Sequence, residues 1–105
     1  MNVFCLVGNV VELPILKETT LGVKTCTLKI QVERPFANSD GMIEYDIIGV
    51  EVWRGLAETL CNVCTTGDLV SCKGRIASRP IEKDGRTFYN YTFVAEKVSF
   101  PRKNG

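Results

Sequence analysis

The sequence predicts an all-β fold, a five-stranded barrel with one short helix between the third and fourth strands. Strict apolar–polar alternation runs from Val23 to Glu33, helical spacing of apolar residues is confined to Trp53–Cys64, and strand patterns return after that helix. The chain has 105 residues and no repeat, linker or low-complexity segment. One domain spanning residues 1–105 around a single core is therefore expected.

The first strand is predicted at Val3–Val7, a continuous apolar run closed by Gly8. A short run without alternation is typical of a strand covered on both faces, so a second surface, such as another subunit, is expected on one side. Pro14 breaks the next stretch, and Thr20-Leu21-Gly22 supplies a turn. The second strand follows at Val23–Glu33. Its predicted core positions are Cys26, Leu28, Ile30 and Val32.

The third strand is predicted at Met42–Val52, after a polar loop over residues 34–41. Its odd-numbered positions are apolar up to Ile47, and its even-numbered positions are apolar from Ile48 onward. A change of parity within one strand indicates a bulge, which we expect near Ile48-Gly49. Strongly bent strands of this kind are typical of small barrels.

The helix is predicted at Trp53–Cys64, because apolar residues recur there at helical intervals and Gly67 follows the end. Leu69–Ile76 returns to strand alternation. Asp84-Gly85 is a tight-turn signal that joins this arm to a last strand at Thr87–Phe100. Five strands with a helix in this position form the layout of an oligonucleotide/oligosaccharide-binding (OB) barrel.

The composition excludes most enzyme chemistry. The chain has no histidine, which removes imidazole acid–base catalysis, His-dependent nucleophiles and His-containing zinc sites. It also lacks a phosphate-cradling glycine-rich loop, so neither an enzyme nor a cofactor is expected. Met1–Val11 has no signal-peptide pattern, and no apolar span reaches the roughly 18 residues that cross a membrane. We therefore expect a cytoplasmic protein with an intact N-terminus and no membrane partner.

The formal net charge of +1 hides two oppositely charged halves. Residues 1–68 carry five basic and nine acidic side chains, whereas residues 69–105 carry eight basic and three acidic ones. Cations track a phosphate backbone, and aromatic faces stack bases at about 1–3 kcal/mol each, so basic and aromatic residues together favour single-stranded nucleic acid. The basic residues of the fourth strand and hairpin and the aromatic residues beside them are Lys73, Arg75, Arg79, Lys83, Arg86, Phe88, Tyr89 and Tyr91.

A purely structural role is the alternative for each of these residues. The basic side chains would form the solvated face of a strand. Periodicity alone does not favour nucleic-acid binding over this structural role. Phe88 and Tyr89 are adjacent and must face opposite ways, so one of them is expected in the core. Trp53, at the strand-to-helix junction, is as well placed to anchor the helix as to stack on a base. Phe36 differs, because a lone aromatic in a polar loop has no obvious core to enter.

A series of short motifs runs along nearly the whole chain. They are Met1-Asn2 with Val7-Gly8, Glu33-Arg34-Pro35-Phe36, Val52-Trp53-Arg54 with Ala57-Glu58, Gly67-Asp68-Leu69-Val70, Gly74-Arg75-Ile76 with Arg79, Asp84-Gly85-Arg86 with Tyr89, and Val94-Ala95-Glu96-Lys97-Val98-Ser99-Phe100. In this order the motifs resemble those of bacterial single-stranded DNA-binding proteins. Each motif is weak alone, but their order and spacing make chance similarity improbable.

The resemblance implies an OB barrel that binds single-stranded DNA in replication, recombination and repair, without catalysis or cofactor. It also implies a homo-oligomer, a tetramer with a dimer as the alternative. Phe36 and Trp53 match the family's stacking aromatics. Two further aromatic positions hold Ile47 and Ile81, so weaker affinity or a different site size is expected. The expected nucleic-acid-binding residues are Arg34, Phe36, Trp53, Arg54, Lys73, Arg75, Arg79, Lys83, Arg86 and Tyr89.

The chain departs from the family at its C-terminal end. Members that recruit replication and repair enzymes carry a flexible linker with an acidic tip, whereas only residues 101–105 follow Phe100 here. The chain is then either a shortened form or a short paralogue, and tail-mediated recruitment is not expected. A primosome-type accessory protein remains the alternative. It would share the barrel, form a dimer, wrap little DNA and act through contacts with replication proteins.

The five cysteines are odd in number and irregular in spacing, which indicates reduced thiols. Cys61-Asn62-Val63-Cys64 has the C-x-x-C spacing of zinc and thiol-redox sites. A closed zinc site needs four ligands that the sequence does not supply, and redox pairs sit at helix N-termini rather than late in a helix. Cys5, Cys26 and Cys72 fall on apolar strand positions and are expected to be small core residues.

Overall fold

The computed structural model describes residues 1–103, so the last two residues of the predicted Pro101–Gly105 tail lie outside the description. The element order confirms strands on both sides of one helix. The elements are β1 (Phe4–Val10), β2 (Lys17–Glu18), β3 (Lys24–Glu33), β4 (Tyr45–Trp53), α1 (Arg54–Val63), β5 (Leu69–Lys83) and β6 (Arg86–Ser99). Within the described residues, no helix is long and apolar enough to span a membrane.

Five strands close into a ring in the order β1-β5-β6-β4-β3, which confirms the predicted barrel. β1 and β3 close it through Asn9↔Gln31 and Val10↔Ile30, and β4 runs parallel to β6 at Val50↔Phe93. All other pairings are antiparallel. β2 adds two residues to the outer edge of β3 and was not predicted, because two residues are too short to show a period.

The core consists of alternate strand positions capped by the helix. β3 and β4 contribute fully buried side chains such as Leu28 and Val50, and α1 contributes Ala57 and Leu60. β1 crosses β3 so closely that a Cβ at Gly8 would overlap the Gln31 carbonyl oxygen. Closure of this small barrel therefore depends on a residue without a side chain at that crossing.

The bulge predicted near Ile48-Gly49 is wrong. β3 and β4 pair without a register shift from Thr25↔Trp53 to Glu33↔Tyr45. The even-numbered residues Ile48, Val50 and Val52 pack inward, whereas Tyr45 and Ile47 are about half exposed on the outer face. Because these outward-facing residues are apolar, the sequence pattern looked like a change of parity although the strand is regular. The irregularity of the barrel lies instead between β5 and β6, where Glu96 is the extra residue opposite the Lys73/Gly74 step.

The β5–β6 hairpin projects beyond the barrel. β5 continues seven residues past the predicted end at Ile76, and every residue from Ser78 to Tyr91 is exposed. Strand periodicity disappears from the sequence where no face is buried, which explains the early end of the prediction. The two-residue turn is confirmed: Asp84 and Gly85 both have positive φ, 53° and 74°, as a type I′ turn requires.

The Asn2 side chain anchors β5 where it leaves the barrel. Its Nδ2 donates to the Ile76 carbonyl at 2.6 Å, and the Ile76 N–H donates to its Oδ1 at 2.9 Å. The last backbone pair between β1 and β5 is Phe4↔Gly74. Beyond it, the side-chain amide of Asn2 takes the place of a main-chain partner for β5. Both polar groups of Ile76 on this edge are thereby satisfied.

Candidate nucleic-acid interface

A cavity of about 570 Å³ opens on the outer face of the barrel, between β4, β5, β6 and the loop after β2. Four of the residues expected from the sequence line it: Trp53, Arg54, Arg75 and Arg79. Thr19, Thr20 and Leu21, from the loop after β2, also line it. These residues come from distant parts of the sequence, and only the closed ring brings them together.

Strand alternation directs the two β5 arginines into this cavity. Cys72 and Gly74 face the core, so Arg75 and Arg79 face outward on the same side of the strand. Gly74 leaves no room for a side chain, because an added Cβ would overlap the Val94 carbonyl oxygen on β6. The close approach of β5 and β6 at this step fixes the strand that carries both arginines.

The strand-to-helix junction contributes Trp53 and Arg54 to the lining of this cavity. Trp53 pairs with Thr25 at the end of β4, has an extended backbone (φ −121°, ψ 151°) and is half-buried. Arg54 begins α1 with a φ of 60°, which lies in the left-handed region. A residue other than glycine adopts this backbone conformation at a cost of roughly 1–2 kcal/mol. Backbone strain of this kind is concentrated at functional sites.

The cavity is cationic with one carboxylate in it. Glu51 Oε1 lies 3.2 Å from Arg79 Nη2, and an exposed pair of this kind contributes about 0–1 kcal/mol. Arg54 and Arg75 have no carboxylate partner among residues 1–103. An incoming anion would thus meet two uncompensated guanidinium groups and one whose existing partner is weakly held.

Arg34 and Phe36 lie outside this cavity, in the loop before β4. The Arg34 guanidinium binds Asp46 through Nη2 at 2.8 Å and Nε at 3.0 Å, and Glu44 through Nη1 at 2.5 Å. Hydrogen bonding to Arg34 holds the pKa of Asp46 below its usual range. The charge expected to meet a phosphate is therefore already balanced by two carboxylates. Phe36 is 82% exposed, as expected for an aromatic with no core to enter.

The remaining expected residues divide between two other surfaces. Lys83 and Arg86 pair across the hairpin turn and line a second cavity, of about 470 Å³, with Asp84 and Phe88. Lys73 instead pairs with Cys5 of β1 and Lys97 of β6, and it lines neither of these cavities.

Phe88 and Tyr89 face opposite ways, but neither belongs to the core. Their exposed fractions are 51% and 58%, because the hairpin extends past the barrel. Phe88 lies opposite Ile81, on the face that carries Arg79 and Lys83, whereas Tyr89 lies opposite Pro80 on the other face. The site set expected from the sequence omitted Phe88. The two-residue turn carried the missing signal, since it fixes which residues of the hairpin are opposite one another.

The five cysteines are free thiols that differ in burial. Cys26 and Cys72 are core residues as expected, but Cys5 is exposed, because only every second residue of β1 faces inward. Burial raises the pKa of Cys26 to about 12 and that of Cys72 to about 11, and also raises that of Cys64. A redox pair requires lowered thiol pKa values. No group of three or more metal-binding side chains occurs among the described residues.

Comparisons with known proteins find similar sequences over nearly the whole chain. The model of the single-strand binding protein family matches residues 1–101. "Single-stranded DNA-binding protein" from Oceanobacillus iheyensis is 39% identical over all of this chain and 66% of its own length. "Single-stranded DNA-binding protein 3" of Listeria innocua is 39% identical over all of this chain and 68% of its own length. The chain thus spans about two thirds of the length of these curated relatives.

A solved structure supports the fold independently. The crystal structure of a deletion mutant of the single-stranded DNA binding protein from Thermus aquaticus matches with a TM-score of 0.76. The match covers 94% of this chain and 49% of that one. The sequence identity is 23%, so this likeness concerns the fold alone.

Proposed function

Because the chain belongs to the single-strand binding protein family, we propose that it binds single-stranded DNA without sequence preference. The observation that carries this proposal is the cavity where Trp53 meets Arg54, Arg75 and Arg79. It combines an aromatic platform with cations, the two elements of sequence-tolerant binding. Every base has a face that can stack, and every nucleotide has a phosphate, so neither contact selects a sequence.

Within the cavity, Trp53 stacks on a base and the arginines neutralise phosphates. Arg54 and Arg75 are available without breaking an ion pair among the described residues, whereas Arg79 exchanges Glu51 for a phosphate. Charge-assisted hydrogen bonds from a guanidinium to a phosphate are often bidentate, which suits this exchange. No covalent step, metal or cofactor enters the proposal.

The other expected residues extend the path of the strand. Phe36 provides a second stacking surface, and Lys83 and Arg86 continue the cationic track along the hairpin. Arg34 contributes less than an uncompensated arginine because of its two carboxylate partners. Lys73 and Tyr89 are peripheral, since Lys73 lines neither cavity and Tyr89 lies on the face of the hairpin without cations.

The experiment is a fluorescence titration of Trp53, the single tryptophan, with oligo-dT at several salt concentrations. Stacking should quench its emission, and the logarithm of the binding constant should fall by about 0.7 per phosphate contact for each tenfold rise in salt. Unchanged emission and no binding at low salt would refute the proposal. Equal affinity for duplex DNA would identify a general polyanion binder instead.

We further propose a homo-oligomer, a tetramer by its family, that acts in replication, recombination or repair in the cytoplasm. The supporting observation is the outer face of β1, where Val7 is 59% exposed and Cys5 is also exposed, with Val3 beside them. A light-scattering mass equal to one chain would refute the oligomer. The relatives are named as DNA-binding proteins, which favours DNA binding over the primosome-type alternative.

A further inference from the structure

The two faces of the β5–β6 hairpin differ sharply in charge. Antiparallel partners share a face, and so do alternate residues of one strand. One face therefore carries every cation of the hairpin beyond the barrel, and we call it the cationic face. Its residues are Arg79, Ile81, Lys83, Arg86, Phe88 and Asn90. The other face carries Ser78, Pro80, Glu82, Thr87, Tyr89 and Tyr91, with no cation.

The cationic face holds one exposed aromatic side chain, Phe88. It lies directly opposite Ile81, so the two Cβ atoms are about 4.5–5.5 Å apart. Phe88 also lines the cavity of about 470 Å³ with Lys83 and Arg86, which pair across the turn. An aromatic ring flanked by two cations has the composition of a site for one nucleotide, with a surface for the base and charges for its phosphates.

From this segregation of charge we infer that Phe88 is the base-stacking residue of the hairpin and that Tyr89 is not. The inference rests on the proposed binding of single-stranded DNA and extends its path. The strand leaves the cavity at Trp53, follows Arg79 along the cationic face and stacks a base on Phe88. Ile81, which resembles a family aromatic position by sequence, provides an apolar side chain directly opposite that ring.

Charge opposes the same role for Tyr89. A phosphate near Tyr89 would lie on the face that carries Glu82 and no cation, whereas a phosphate near Phe88 would lie on the face that carries Lys83 and Arg86. Asp84 is the one carboxylate lining the hairpin cavity, at the turn itself. Binding of the strand to the cationic face is therefore favoured by its electrostatics as well as by its aromatic ring.

Phe88→Ala and Tyr89→Ala form a matched pair, because the two residues are adjacent and similarly exposed. Phe88→Ala should weaken binding of fluorescein-labelled oligo-dT about 5- to 150-fold in an anisotropy titration, the effect of losing one stacked base. Phe88→Leu should lose a similar factor, since leucine has no π-face. Tyr89→Ala should bind like the unmodified chain. Equal affinity of Phe88→Ala and the unmodified chain, full affinity of Phe88→Leu, or a selective loss in Tyr89→Ala would overturn the inference.

A second readout does not depend on affinity. In a Trp53→Phe background, Phe88→Trp should give a tryptophan whose emission is quenched by oligo-dT at saturation, and Tyr89→Trp should give one that is not. Quenching at position 89, or no quenching at position 88, would contradict the assignment. The unmodified chain separates the two proposals: if it binds oligo-dT while Phe88 proves silent, only this inference fails, and if it does not bind, the proposed function fails.

Discussion

Gly74→Ala should unfold the barrel at a much lower temperature than Gly55→Ala, although both add one methyl group. At Gly74 the new Cβ would overlap the Val94 carbonyl oxygen and lie 2.8 Å from Cε2 of Phe4. The Val94 oxygen belongs to the backbone, so neither a rotamer change nor a small side-chain shift can remove the clash. β5 must separate from β6 at the step that precedes Arg75.

Overpacking a core typically costs 1–3 kcal/mol, and a clash with backbone belongs at the upper end, so we expect a loss of about 3 kcal/mol or more. For a domain of this size, each 1 kcal/mol lowers the melting temperature by about 4–8 °C, which gives a fall of roughly 12 °C or more. Gly55 lies in α1 with nothing within 4 Å of its added Cβ. Alanine there should stabilise the chain by about 0.5–1 kcal/mol, because glycine is the poorer helix former.

Thermal unfolding followed by circular dichroism at one fixed protein concentration measures both changes, since an oligomer's melting temperature depends on concentration. A fall of less than about 4 °C in Gly74→Ala, equivalent to about 1 kcal/mol at most, would refute the close approach of β5 and β6. Equal destabilisation by Gly55→Ala would show that the effect is not specific to this step.

Asp46→Asn should remove one of the two carboxylate partners of Arg34, so oligo-dT should bind more tightly with a salt slope steeper by up to about 0.7, and an unchanged slope would place Arg34 away from the DNA. Acid should weaken the fold. Because Arg34 and Lys103 hold the pKa values of Asp46 and Asp68 below the usual value of about 3.9, their stabilisation is present above about pH 4 and is lost as the pH falls through the folded-state values. Urea midpoints between about pH 5 and pH 2 should fall less in Asp46→Asn than in the unmodified chain. Phe36→Ala should weaken oligo-dT binding by about 1–3 kcal/mol with an unchanged melting temperature, and equal affinity would remove Phe36 from the site.

Sequence patterns predicted those parts of the fold in which burial imposes a period. β3 and α1 each bury one face, so their periods of 2 and 3.6 appear directly in the residues. The hairpin turn was equally clear, because few dipeptides besides Asp84-Gly85 adopt two positive φ angles readily. β4 misled the prediction because Tyr45 and Ile47 are apolar but face outward. The end of β5 left no signal because its final residues are exposed on both faces.

The site was predictable to the extent that it depends on alternation along one strand and on the family resemblance. Alternation put Arg75 on the outer side of β5, and the resemblance indicated Arg79 and Trp53. Local sequence could not show that the Arg34 guanidinium is paired with two carboxylates, because this pairing depends on how the loop before β4 folds back. Phe88 was within reach of sequence reasoning, since a two-residue turn determines its partner across the hairpin.

The salt dependence of oligo-dT binding in Arg75→Ala and Lys73→Ala tests the central claim most directly. The two residues lie two positions apart on β5 and both face outward, but only Arg75 lines the cavity with Trp53. Arg75→Ala should bind more weakly, with a salt slope smaller by about 0.7 and with Trp53 still quenched at saturation. Lys73→Ala should keep the slope of the unmodified chain. Equal slopes for the two variants, or a loss confined to Lys73→Ala, would contradict the assignment of this cavity as the DNA-binding site.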